Sequence, residues 1–289
     1  MVEHSRNLEV SQKELLRKWA IEANYELLPT EKALDLVGII PASGTTRVTC
    51  RPTGIEDTLK FVEHFSEEAN QKIIPNIAAR RFTDKHHFDE IFTRLLSSGT
   101  RKIFVVGGDG KPFGNYSKAE DLLVEIYRKG IHFDEIGIGG YPEGNSVFEE
   151  DPTEILLRKQ EIGEIMQTKM EIVTQMCFDT DVLLNWVNDI RNKGVYLPIR
   201  VGIPGCLSLD TLMKAMAMSG ITDSLALLKS KPKLVKSLTS IALEGFKPGD
   251  LMSELASSTK PNHGISGVSI FTFGNVTKSV KYLSGLSVS

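Results

Sequence analysis

The chain has 289 residues, 34 basic and 37 acidic, giving a net charge of -3 and a pI near 6.1, so it has no basic field to draw in phosphate backbones or an anionic membrane. Hydrophobic residues at 41% and charged residues at 25% suit a soluble globular chain able to bury a sizeable core. Cys50, Cys177 and Cys206 lie far apart without metal-ligand spacing, the N-terminus lacks the apolar run of a signal peptide, and no stretch approaches the ~20 apolar residues of a membrane span; a cytoplasmic protein without metal, nucleic-acid or membrane partner is expected.

Residues 1–20 read as an N-terminal helical extension. Strand candidates follow at 24–28, 47–50, 72–77, 102–106, 135–139, 171–175, 199–203 and 267–271. Helical patterns occupy 55–69, 84–98, 118–129, 152–165, 182–193, 209–218 and 233–244, and the helix-rich stretch 223–258 predicts extra helices before the last strand. In 118–129, Leu122, Leu123, Ile126 and Tyr127 fall on one stripe, which marks packing rather than a cofactor box. Short apolar runs alternating with amphipathic stretches indicate βα units around a parallel sheet. A doubly wound open sheet would place a glycine-rich phosphate turn after its first strand, whereas Leu28-Pro29-Thr30-Glu31 contains no glycine. The expected fold is therefore α/β, a single (β/α)8 TIM barrel over residues 1–289, with no linker to divide it.

Barrel active sites form at the C-terminal ends of strands, so polar residues there carry the functional information. Glu26 interrupts an apolar run in the first strand, where a charge is costly unless paired or employed. Two readings stand: an ion pair closing the barrel interior, or a carboxylic acid acting as general acid. The fourth strand exits through Gly107-Gly108-Asp109-Gly110, whose glycines allow backbone to approach a ligand. The fifth ends at Tyr141-Pro142-Glu143, with an aromatic ring for stacking or for covering the barrel mouth. The sixth presents Gln175, a paired donor and acceptor, and then Asp179, an N-cap candidate for the next helix.

Taken in order, Tyr25-Glu26-Leu27-Leu28-Pro29, Gly107-Gly108-Asp109, Tyr141-Pro142-Glu143, Thr174-Gln175-Met176-Cys177-Phe178-Asp179 and Ile203-Pro204-Gly205 resemble the motifs of the methylenetetrahydrofolate reductases, over about Tyr25 to Asn275. The resemblance implies reduction of 5,10-methylenetetrahydrofolate to 5-methyltetrahydrofolate, with NADH or NADPH as hydride donor, through FAD or directly. It implies Glu26 as general acid at folate N10, Asp109 as a pterin contact that tunes the neighbouring flavin, and Gln175 and Leu212 as further substrate-binding positions. Thr49, Asn76, Gly107, Gly108, Tyr141 and Asn145 fall at the cofactor-binding positions. The chain departs from the family pattern at several of these. Asn76 and Asn145 replace histidines, Gly107 replaces an arginine, and the basic pair Arg158-Lys159 is offset in register. The folate end is thus kept and the FAD end altered. The alternative is a non-reducing folate-binding barrel in methyl transfer or sensing, and a phosphate-binding barrel ranks below both. A homo-oligomer is compatible with either.

Overall fold

A computed structural model describes residues 2–65, 72–144, 150–218 and 241–288. Eight parallel strands close into a barrel in sequence order: β1 (Asn24–Leu27), β2 (Thr45–Val48), β3 (Ile73–Ala78), β4 (Lys102–Val106), β5 (Glu135–Gly140), β6 (Lys169–Thr174), β7 (Ile199–Pro204) and β8 (Ile265–Phe271). Closure is made by β8 pairing with β1 in the register Asn24↔Ser269, Tyr25↔Ile270 and Glu26↔Phe271. A closed parallel barrel leaves no unpaired edge, and all eight expected strands are present.

The helices that return the chain between strands are α2 (Glu31–Val37), α3 (Glu56–His64), α4 (Lys85–Ser97), α5 (Ala119–Arg128), α6 (Pro152–Met166), α7 (Thr180–Asn192) and α8 (Leu209–Met218). Side-chain caps begin several of them: Asp84 accepts from the His87 amide, Asp151 from Thr153 ahead of Pro152, and Asp179 from Asp181 and Val182. Helix α2 lies where the sequence singled out no helical pattern. It is one short segment capped by Thr30 and closed at Gly38, too brief to show a period.

The N-terminal extension is helical, α1 (Val2–Ile21), and packs on β8, on α9 (Gly249–Ser258) and on α10 (Val276–Val288), with Trp19 buried. Of the extra helices expected in 223–258, α9 is described, while 219–240 and the predicted start at 233 lie outside the described residues. The main core fills the space between barrel and helices. A second cluster, with Met176, Phe178, Leu207, Leu212 and Met216, sits beyond the ends of β6 and β7. Among the described residues no helix is long and apolar enough to cross a membrane.

Candidate functional site

The residues that leave the C-terminal ends of β1 to β6 surround one cavity of about 780 Å³, within the range of ligand sites. Glu26, Thr49, Asn76, Gly107, Gly108, Asp109, Tyr141 and Gln175 all line it. The carboxylate, the aspartate and the glutamine singled out in sequence, drawn from β1, β4 and β6, therefore share one compartment. Leu212 does not line the cavity. It is fully buried in the second apolar cluster, which gives it a packing role, and Asn145 lies outside the described residues.

Glu26 is 17% exposed and accepts a hydrogen bond of 2.5 Å from Nη2 of Arg47, its register neighbour on β2, which is 3% exposed. The ion-pair reading of Glu26 is thus realised at the same carboxylate that faces the cavity. The Arg47 guanidinium lies 4.6 Å from the Phe104 ring centroid and 5.4 Å from that of Phe271. Sequence reading passed over Arg47. Within Thr45-Thr46-Arg47-Val48 it looks like a solvated strand residue, and only barrel closure puts it between β1, β4 and β8.

Asp109 sits on a turn that only glycine flanks comfortably: Gly108 has φ +87° and Gly110 φ +71°. A Cβ on Gly108 would stand 2.9 Å from Cβ of Ala78, so the turn lies against the end of β3. Two arginines after β3 staple it there. Arg81 donates to the carbonyls of Asp109 and, at 2.7 Å, Pro52; Arg80 donates to Ser117 at 3.0 Å and Gly110 at 3.1 Å. Consecutive arginines gave no sign in sequence that both were spent on backbone.

Opposite, Gln175 accepts from the Met176 amide at 2.8 Å through Oε1, which fixes the side chain and leaves Nε2 as a donor. Tyr141 runs along β5 with its hydroxyl over Gly139, where a Cβ would be 3.0 Å away. Burial first, then the charges of Asp109 and Glu120, push the Tyr141 phenol up to about 12. It is a neutral hydrogen-bonding group at physiological pH.

Unmet polar atoms mark where a ligand would engage. Oγ1 of Thr49 and Oδ1 of Asn76 are buried without a hydrogen-bond partner among the described residues. Lys159 of α6 lies on the cavity wall, 5% exposed, with no hydrogen bond or ion pair to its Nζ among the described residues. Burial lowers its affinity for the proton, opposed by the more distant charge of Glu120. A buried unpaired ammonium fits an anionic group, and the two unmet oxygens fit the donor edge of a heterocycle. Arg158 turns instead to Glu150 at 2.8 Å and Glu120 at 3.5 Å, so only one member of the basic pair reaches the cavity.

A family model described as methylenetetrahydrofolate reductase matches residues 41–244. The Arabidopsis thaliana protein named methylenetetrahydrofolate reductase (NADH) 1 is 26% identical over 276 residues, covering 90% of this chain and 40% of that protein. Methylenetetrahydrofolate reductase 1 of Schizosaccharomyces pombe is 29% identical over 142 residues, 46% of this chain and 23% of that protein. Methylenetetrahydrofolate reductase 2 of Saccharomyces cerevisiae is 30% identical over 137 residues, 43% of this chain and 21% of that protein. The chain therefore spans less than half the length of these relatives.

Proposed function

The chain belongs to the methylenetetrahydrofolate reductase family, and from that premise we propose that its barrel reduces 5,10-methylenetetrahydrofolate to 5-methyltetrahydrofolate with a nicotinamide as hydride donor. The observation that carries the reading is the meeting of Glu26, Asp109 and Gln175 around one cavity. Gln175 and Asp109 present a donor and an acceptor for the pterin's amide-like edge. Glu26 delivers a proton to N10, the C–N bond of the one-carbon bridge breaks, and the carbon is left as an iminium ready for hydride. NADH is the donor named for the Arabidopsis relative, and we take it as the donor here.

The cavity fits FAD. Thr49, Asn76 and the Gly107-Gly108 backbone would hold its ring system beside Tyr141, and Lys159 would meet a phosphate. When bound, FAD relays hydride from nicotinamide to the one-carbon unit. We further take residues 1–289 as one barrel domain with α1 as an extension, working in the cytoplasm.

The Glu26–Arg47 pair favours a second reading, a folate-binding barrel that does not reduce its ligand, because it engages the carboxyl that ring opening needs. NADH oxidation dependent on methylenetetrahydrofolate separates the two. The proposed function expects turnover, and a loss in kcat of about 10²–10⁴-fold in Glu26→Gln with methyltetrahydrofolate binding retained. Saturable folate binding without oxidation of either NADH or NADPH would establish the second reading. An absorption spectrum of the purified protein tests the flavin: bands of bound FAD are expected, and a colourless enzyme that still oxidises NADH would place hydride transfer directly between nicotinamide and folate.

A further inference from the structure

We propose that Arg47 is the positioning residue for Glu26, holding its carboxyl at the cavity floor and stabilising the charge left there once a proton has been delivered. The inference rests on the reductase reading, which gives Glu26 that proton to deliver. Arg47 itself does not line the cavity, so it acts through Glu26 and not on the substrate.

The placement of this guanidinium is unlike that of an arginine serving the fold. Arg191, for comparison, donates to the carbonyls of Val195, Leu197 and His263. Arg47 has one hydrogen-bond partner among the described residues, Glu26 Oε2, and its Nε and Nη1 are buried with none. Its confinement is aromatic, with Phe104 from β4 at 4.6 Å and Phe271 from β8 at 5.4 Å. Each ring depends on a glycine. A Cβ at Gly137 would stand 2.7 Å from Phe104, and one at Gly202 2.7 Å from Phe271. Residues of β1, β2, β4, β5, β7 and β8 thus combine to set one cation beside one carboxylate. Buried polar atoms ordinarily find partners, and an apolar side chain would avoid the cost of two unmatched N–H groups.

Glu26, a carboxylate paired with Arg47 in the resting site and open to the cavity, first takes up a proton from solvent; delivering it breaks the Glu26 O–H bond and forms an N–H bond on the folate. The O–H electron pair stays on the carboxylate. In a barrel interior that new charge is costly unless a cation already stands in place, and Nη2 of Arg47 does, with no reorganisation required. The flanking rings keep the guanidinium from swinging aside, so the carboxyl stays aimed at the cavity.

The test is steady-state kinetics of the full chain with NADH and methylenetetrahydrofolate, for the parent, Glu26→Gln, Arg47→Met, Arg47→Lys and the doubles that join Glu26→Gln to each Arg47 variant. Arg47→Met is expected to lower kcat by about 100-fold with little change in the folate KM, and Arg47→Lys to recover part of the loss. In the Glu26→Gln background either substitution should cost nothing more, because the group it serves is gone. Should Arg47→Met fail to fold, Arg47→Lys in the two backgrounds makes the same comparison. Parent-like activity of Arg47→Met, or an equal loss with and without Glu26, would overturn the role and leave Arg47 as a fold residue. A parent that never oxidises NADH with folate, or a Glu26→Gln variant as active as the parent, would overturn the functional reading instead.

Discussion

Lys159 carries its ammonium into a cavity wall where no carboxylate pairs with it among the described residues, and burial lowers its hold on the proton. Since the unfolded chain binds that proton more tightly, stability rises as pH climbs from the folded value towards the ordinary lysine value of 10.5, and the penalty is fully present below both. Lys159→Met should therefore raise the Tm of the ligand-free protein at pH 7 and flatten the rise of stability with pH relative to the parent. The same substitution should weaken a phosphate-bearing cofactor by about 10- to 100-fold, the worth of a charge-assisted hydrogen bond. An unchanged FAD titration in Lys159→Met would remove it from the cofactor site. Residues of this kind differ in how far sequence discloses them. Glu26 is visible because a carboxylate in an apolar strand must be explained locally, whereas Arg47 and Lys159 gain meaning only from what the barrel sets around them.

The strands were legible because each is a short apolar run between polar turns, and their exits fall where the functional residues were sought. Boundaries were less so. Strand β2 runs from Thr45 to Val48 and not over 47–50, since the two threonines that open it lack the apolar character by which a strand start is read. The turn after β4 invites a direct test. Gly108→Ala combines a left-handed φ of +87° with a contact of 2.9 Å to Ala78, and should cost about 1–3 kcal/mol. Because the turn carries Asp109, folate affinity should fall with stability. Gly38→Ala is the control: its φ is -64°, nothing lies within 4 Å of the added Cβ, and the change should be neutral or slightly stabilising. Equal Tm values for the two variants would show that the turn does not need its glycine.

At the scale of the whole molecule, the cavity is bounded by residues far apart in sequence, from Glu26 to Gln175, held in one mouth by barrel closure. The order of the motifs along the chain was legible in advance; their convergence follows from the β8–β1 register, which no local pattern encodes. A ligand that bridges six strand ends binds the folded barrel and not the unfolded chain, so it must raise stability by mass action. Methyltetrahydrofolate at 100 times its Kd should add about 2.7 kcal/mol, or roughly 5–10 °C in Tm at about 2–4 °C per kcal/mol for a chain of this size. The shift should grow with the logarithm of concentration and shrink in Asp109→Asn, which keeps the shape of the turn and removes its charge. A thermal scan without any shift up to millimolar methyltetrahydrofolate would mean that the cavity takes some other ligand, and the assignment of Asp109 and Gln175 to a pterin would fall with it.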